Sequence, residues 1–245
     1  MTASPVVEVK NLNKSFGENH VLRNFSMAVH EGETLAILGK SGSGKSVLIK
    51  CIINLIPADD GLITLLDNNV EEMNQDNLNE LRAKVGFLFQ SNALYDSMTV
   101  RENLEFPLRR HWNKEQRERG AEKAVLEALN DVGLAHTIDM MPAELSGGMR
   151  KRVALARTLI LRPSIILYDE PTTGLDPVTS REISNLIIKV QQKYNASSII
   201  ISHDMNCIHM TSNRVLMLID GRCYANDSYM NLRNSQDQKI KEFFD

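Results

Sequence analysis

The stretch Thr34-Leu35-Ala36-Ile37-Leu38-Gly39-Lys40-Ser41-Gly42-Ser43-Gly44-Lys45-Ser46 decides the fold, because an apolar strand runs directly into a loop that fits G-x-x-x-x-G-K-[ST]. Phosphates carry several negative charges. The glycines let backbone N–H groups from about Gly42 to Ser46 turn inward at a helix N-terminus, where the helix dipole favours anions. Gly39, Lys40, Ser41, Gly42, Ser43, Gly44, Lys45 and Ser46 are therefore the expected nucleotide-binding loop. Lys45 is placed to reach the β- and γ-phosphates of ATP, and the Ser46 hydroxyl has the right length to ligate Mg²⁺. A Gly/Ser turn that matches by chance is the competing explanation, and the preceding strand disfavours it.

Outward from this loop, short β-branched runs alternate with longer segments of helical period, the pattern of an α/β fold. Strands are expected at residues 6–10, 33–38, 62–66, 85–90, 165–169, 198–202 and 215–219. The runs IILYD and SSIIIS are apolar on both alternating faces, which places them at the centre of a sheet covered by helices on each side. Helices are expected at residues 45–56, 76–82, 114–132, 146–161, 177–194 and 204–211, with Gly133 stopping the third. Between Gln90 and Gly148 strand signals are weak. The segment NKEQRERGAEKAVLEALNDV is charged and amphipathic, so this part reads as a helical insert that packs through Val125, Leu126 and Leu129.

A chain of 245 residues suffices for one large domain or two small lobes with a substantial core. Cys51, Cys207 and Cys223 are odd in number, far apart and outside any CxxC pattern, so they read as reduced packing residues of a cytosolic protein. The opening MTASPVVEVK has neither the positive segment nor the apolar run of a secretory signal, and no apolar stretch of about 18 residues occurs. Membrane contact is expected through a partner. A formal net charge of −3 gives no global electrostatic case for nucleic-acid binding.

Two further constellations carry chemistry. Ile165-Ile166-Leu167-Tyr168-Asp169-Glu170 is an apolar strand ending in adjacent carboxylates. A solvated acidic turn is the bland explanation. Beside a phosphate-binding loop the sharper one is favoured, with Asp169 serving Mg²⁺, usually through water, and Glu170 polarising the attacking water as general base. Leu145-Ser146-Gly147-Gly148-Met149 precedes RKRVALARTLILRP, whose apolar residues recur at helical spacing. Ser146 would cap that helix, and two glycines before a helix dipole make a second anion-binding end. The basic residues Arg150–Arg152 and Arg157 allow a phosphate-contacting role or a solvated face, and the solvated face is preferred for most of them.

Walker A at 39–46, Gln90 after a strand, LSGGM at 145–149, LYDEP at 167–171, Gly174-Leu175-Asp176 and His203 in IIISHD together resemble the ATP-binding cassette (ABC) ATPases over essentially the whole chain. The resemblance implies a P-loop NTPase fold with a mixed β-sheet core, made of a RecA-like lobe and an antiparallel β subdomain, plus an α-helical signature subdomain. It divides a single domain, 1–245, into a core lobe (1–90 and 162–220), a helical lobe (about 91–161) and a short tail (221–245). It also implies a head-to-tail homodimer in which Ser146, Gly147, Gly148 and Met149 of one subunit close on the γ-phosphate held by the other's P-loop. Gln90 corresponds to the residue that senses γ-phosphate, Mg²⁺ and lytic water; otherwise it is an ordinary polar strand end. His203 resembles the switch histidine on the γ-phosphate, and Asp176 the D-loop residue that crosses the dimer interface. Phe16 stands where the family places a ring against adenine, and Val21 adds packing.

Met149 is a departure, since most members carry glutamine there. LSGGM followed by Arg150, Lys151 and Arg152 is similar to the ATPase subunits of Mla-type transporters, whose permease works with an MCE-domain protein to move phospholipids in double-membraned envelopes. The segments 97–104, 106–109 and 141–144 agree, and the end 238–244 resembles that group's terminal helix. The implied partners are a second ATPase subunit, an integral-membrane permease, an MCE-domain protein and a small accessory subunit, at the cytoplasmic face of the inner membrane. The alternative reading of Met149 is a tolerated substitution with no bearing on cargo, because an unbranched thioether fills irregular gaps. Polar-solute import, lipoprotein release and a non-transport ABC ATPase are the alternatives. The tail leaves no room for the regulatory domain of some sugar and metal importer cassettes.

Overall fold

A computed structural model describes residues 4–244, so positions 1–3 and 245 of the expected single domain lie outside the described residues. Two sheets form the core. The chain begins with β1 (Val7–Phe16) and β2 (Asn19–Val29), continues through β3 (Thr34–Leu38) and helix α1 (Lys45–Ile52), and returns as β4 (Asp60–Leu65) and β5 (Asn68–Asn69). Strands β2-β1-β4-β5 make an antiparallel sheet.

Helix α2 (Gln75–Ala83) then leads into β6 (Val85–Leu88). The helical insert follows as α3 (Val100–His111), α4 (Lys114–Asp131), 3₁₀ turns at Ala135–Thr137 and Pro142–Glu144, and α5 (Gly147–Leu159). The chain re-enters the core through β7 (Ile165–Asp169), α6 (Pro177–Tyr194), β8 (Ser197–Ile201), α7 (Met205–Thr211) and β9 (Arg214–Ile219). It ends with β10 (Arg222–Asp227), α8 (Tyr229–Arg233) and α9 (Gln238–Lys241).

The second sheet has the order β10-β9-β3-β8-β7-β6, parallel except for β10 at one edge. The largely apolar runs of β3, β7 and β8 lie inside it because both of their faces are covered. Leu35, Ile37, Leu167 and Ile199 pack towards the antiparallel sheet and α1. Ile166, Tyr168 and Ile200 pack against the helical insert, and Ala36 and Leu38 against the C-terminal helices. Every residue of β3 and β8 is buried, as two-sided covering demands.

Local signals account for the elements that match expectation. Helix α6 has the bounds read from sequence, because Asp176 caps its start with Pro177 in the first turn and Asn195 ends it in the left-handed conformation (φ 47°). The first helix was expected to reach residue 56 but stops at Ile52, because Asn54 turns left-handed (φ 51°). Helix α3 was not bounded in the sequence, where Pro107 interrupts its pattern; a Thr99–Glu102 capping box starts it nonetheless.

Strand β2 was missed for a different reason. Its register against β1 shifts three times, between Val9 and Lys14/Ser15, and Asn11 and Asn24 have φ near 50°. Bulges of this kind break the two-residue alternation that marks a strand. Residues 222–227, expected in the tail, form β10 on the edge of the core sheet.

Gly61, on β4, faces the irregular part of β1. It has φ +112°, and an added Cβ would lie 2.7 Å from Leu12 Cα and 2.8 Å from the carbonyl oxygens of Asn11 and Lys10. These are backbone atoms that no rotamer change can move. Gly61→Ala is therefore expected to destabilise the fold by about 2 kcal/mol and to lower the thermal midpoint by about 4–8 °C, read by circular dichroism melting.

Candidate functional site

The register of the parallel sheet sets the site. Ile37 pairs with Ile201, Ile201 with Asp169, and Tyr168 with Leu88. The glycine-rich loop, Glu170, Gln90 and His203 therefore all begin one or two residues beyond a single row of rungs, at the carboxyl ends of the strands. This is where open parallel sheets bind ligands.

These residues line a cleft of about 560 Å³, to which Phe16 and Val21 contribute from the antiparallel sheet. Gly39, Ser41, Gly42, Gly44, Lys45 and Ser46 form its floor, and Gln90, Asp169, Glu170 and His203 its far wall. Phe16 is 49% exposed at the end of β1, so one ring face is open to a planar base. Lys40 and Ser43 belong to the same loop but line a neighbouring cavity of about 720 Å³ on its outer side. There Lys40 pairs with Glu242 at 3.3 Å.

The loop is built for anions. Gly44 is the N-cap of α1 with φ +101°, and any Cβ there would come within 2.8 Å of Val21 Cγ1. Only glycine permits this turn and this close approach. Lys45 is buried and curls back, its ammonium donating to the carbonyls of Gly39 at 2.7 Å and Lys40 at 3.1 Å. Burial holds its pKa below the ordinary lysine value, while Glu170 and Asp169 oppose the shift. A polyanion in the cleft would satisfy that charge.

Ser46 Oγ and Asp169 Oδ1 stand 3.5 Å apart. Burial, and then the charge of Glu170, push the Asp169 carboxyl above its ordinary pKa, so a cation between the two oxygens would stabilise the ionised form. No cluster of three or more His, Cys, Asp or Glu side chains able to hold a metal occurs among the described residues. A hard divalent ion at Ser46 and Asp169 would thus keep waters and phosphate oxygens as its remaining ligands, as Mg²⁺ does.

Glu170 is the strained residue of the site. It has φ +51°, a left-handed conformation that costs a non-glycine residue about 1–3 kcal/mol and concentrates at functional positions. Its N–H donates to the Ile201 carbonyl at 2.9 Å. Its carboxylate accepts from the Thr173 hydroxyl at 3.1 Å and lies 2.8 Å from His203 Nδ1. A carboxylate so aimed can take a proton from water. Thr173 escaped the sequence reading because a lone threonine in a loop has no pattern.

The signature residues do not line this cleft. Ser146 caps α5, accepting from the Met149 N–H at 3.2 Å, as expected. Met149 packs half-buried against the core of the helical insert. A Cβ on Gly148 would touch Thr179 Cγ2 at 2.8 Å, so the signature sits beside the start of α6. There Asp176 spends its carboxylate on the N–H groups of Val178 and Thr179, and its bonds to Thr179 lead the lowering of its pKa.

The expectation of a solvated face for most of the basic residues on α5 fails at Lys151, which is buried, while the three arginines are half-buried and partnered. Arg150 donates to the Leu145 carbonyl, Arg152 pairs with Glu182, and Arg157 donates to the carbonyls of Ala93 at 2.7 Å and Asn92 at 3.1 Å. Lys151 is only 2% exposed and donates to the carbonyls of Gln90 at 3.0 Å and Glu170 at 3.5 Å. A signal was present. Lys151 falls on the helical stripe of Leu155 and Leu159, but its charge argues for the outside.

The ABC transporter family matches residues 22–173. The methionine import ATP-binding protein MetN of Clostridium tetani is 37% identical over 217 residues, covering 89% of this chain and 67% of the relative. MlaF, the ATP-binding protein of the intermembrane phospholipid transport system of Haemophilus influenzae, is 34% identical over 238 residues, 97% of this chain and 89% of the relative. The chain spans 62% of the length of the Mycobacterium leprae transport protein mkl, with 39% identity over 218 residues.

Among solved structures, the dimeric ADP- and phosphate-bound ATP-binding cassette MJ0796 superposes with a TM-score of 0.82 at 32% identity, covering 91% of this chain and 98% of that one. The cassette cbiO1 of Clostridium perfringens, part of a cbiONQ transporter complex, gives a TM-score of 0.85 at 28% identity, covering 94% of this chain and 91% of that one. Phosphate loop, acidic strand end and sheet register define a P-loop nucleotide hydrolase. Within that class the chain belongs to the ABC transporter ATP-binding family, and it is an ATP-hydrolysing cassette. Lys45→Ala is expected to lower ATP turnover by about a hundredfold or more, measured as phosphate release, with the thermal midpoint retained.

Proposed function

We propose that the chain works as one half of a head-to-tail homodimer that holds two MgATP molecules and drives an integral-membrane permease, with phospholipid moved between membranes of the cell envelope as its cargo. The dimer is supported by the separation of its two anion-binding ends: the P-loop cleft contains none of residues 146–149, and each half-site needs a second copy to be complete. In the closed dimer the partner's Ser146, Gly147 and Gly148 cover the γ-phosphate, and Met149 supports their loop from within the helical lobe. Asp176 and its neighbours meet across the interface.

Within each site Phe16 and Val21 hold the adenine, and Gly39 to Ser46 with Lys45 the phosphates. Ser46, Asp169 and Gln90 would hold Mg²⁺, which would supply positive charge to the phosphates. Glu170 takes the proton of the attacking water, and His203 turns from Glu170 to the γ-phosphate when nucleotide enters.

Residues 91–161 are the helical lobe and carry the permease-facing surface. A groove of about 530 Å³ where the helical lobe meets the core supports this role: Pro107, Arg110 and Arg157 line it from the helical lobe, and the exposed Leu55 and Phe89 from the core lobe. No helix among the described residues is long and apolar enough to cross a membrane; the proposed attachment to the cytoplasmic face of the inner membrane is through that permease.

The phospholipid cargo is carried by Met149 in LSGGM-Arg150-Lys151-Arg152, together with the MlaF likeness over 97% of the chain. The MetN likeness supports amino-acid import as the second reading. An MCE-domain protein and a small accessory subunit complete the assembly in the lipid reading. Copurification from native membranes is expected to recover a permease, an MCE-domain protein and bound phospholipid; an amino-acid-binding partner in place of the MCE protein would show the cargo assignment to be wrong. Glu170→Gln is expected to cut turnover about 10²- to 10⁴-fold while leaving MgATP binding intact, and light scattering should then report a stable dimer. Chelation of divalent ions should stop turnover in the unaltered protein.

A further inference from the structure

Lys151 occupies a place where packing alone calls for an apolar residue. It is 2% exposed, on the inward stripe of α5, yet it ends in an ammonium group. An apolar side chain of similar length would fill that volume without the desolvation cost of a charge. What the charge supplies is donors. The ammonium lies 3.0 Å from the Gln90 carbonyl oxygen and 3.5 Å from that of Glu170.

Those two carbonyls are structurally equivalent. The β6–β7 ladder pairs Val85 with Ile165 and ends with Leu88 against Tyr168. Gln90 and Glu170 therefore stand two residues past the last rung, on neighbouring strands. The ammonium joins the two free strand ends where the ladder has stopped.

Glu170 gains most from this. Its backbone is left-handed, with its N–H held by Ile201 and its carbonyl by Lys151, so both sides of the strained residue are tied. The same helix also holds the segment that follows Gln90. Arg157 donates to Asn92 and Ala93, which have φ +63° and +51°.

We infer that Lys151 is a positioning residue for ATP hydrolysis: carried on the helix that starts at the signature loop, it holds the backbones of Glu170 and Gln90, so the placement of α5 sets the alignment of water-activating carboxylate and γ-phosphate sensor. The inference rests on the roles proposed above for Glu170 and Gln90. In the proposed dimer the start of α5 engages the partner's nucleotide. Lys151 then connects closure on one nucleotide with the geometry of the site holding the other.

Steady-state MgATP hydrolysis by the full chain separates kcat from KM. Lys151→Met keeps the stem and removes the donors. It is expected to lower kcat about 10- to 100-fold, which is about 1.4–2.7 kcal/mol at about 1.36 kcal/mol per tenfold, with KM within about threefold and the melting temperature nearly unchanged. Lys151→Arg keeps a cationic donor and is expected to recover most of the lost kcat. An unchanged kcat in Lys151→Met, while Glu170→Gln has lost turnover, overturns the positioning role and leaves the proposed site standing. Full turnover in Glu170→Gln overturns the site and the inference with it. A kcat loss that Lys151→Arg does not relieve, and that falls in step with the melting temperature, makes Lys151 a packing residue and also overturns the role. Should Lys151→Met fail to fold, Lys151→Gln, which can donate to one carbonyl but not carry a charge, takes its place in the same kcat and KM comparison.

Discussion

Parallel pairing among β3, β8, β7 and β6 is the interaction on which the rest depends. Each rung is a weak bond, worth about 0.5–1.5 kcal/mol net, but together they place four strand ends on one level. A one-residue slip of β7 against β8 would turn Ile166 and Tyr168 from the helical insert towards the antiparallel sheet and carry Glu170 away from His203. Two-sided burial prevents that slip, because each face of the sheet has its own apolar cluster. The chemistry of the cleft is thus held by hydrocarbon packing one or two residues away.

The helical insert enters the site through polar donors on α5 rather than through apolar contact. Lys151, Arg157 and Thr158 all donate to backbone carbonyls of β6 or of the segment after it. The Gln90 and Asn92 carbonyls lie past the last rung of the ladder, and that of Phe87 lies within β6. A charged donor makes a stronger bond than a neutral one and must be placed accurately to offset its own desolvation. This favours one placement of α5 against the ends of β6 and β7.

The cleft and the cargo belong to different levels of the molecule. The family match covers residues 22–173, and the relatives span methionine import, phospholipid transport and other cargoes at 33–39% identity. Met149 is half-buried on the core of the helical insert and does not face the cleft. In its own subunit it packs beneath the LSGGM loop, apart from the residues that line the cleft.

Much of the fold was legible along the chain because its signals are local. The loop at 39–46, the caps of α5 and α6, and the two-sided apolar runs of β3, β7 and β8 are each written within a few consecutive residues. Phe16, Gln90 and His203 were found only by resemblance, since one aromatic, one amide or one imidazole has no spacing of its own. Strand β2 was hidden by bulges at Asn11 and Asn24, and β10 by lying at an exposed edge. The sequence alone determined that the chain has a phosphate-binding loop, an acidic strand end and a glycine-rich helix start capped by Ser146, because those depend on neighbouring residues. Only the tertiary structure decided that Thr173 and His203 hold Glu170, and that Lys151 turns inward to reach residues 61 and 19 positions away. Those contacts arise where strands distant in sequence end side by side, and no pattern along the chain records them.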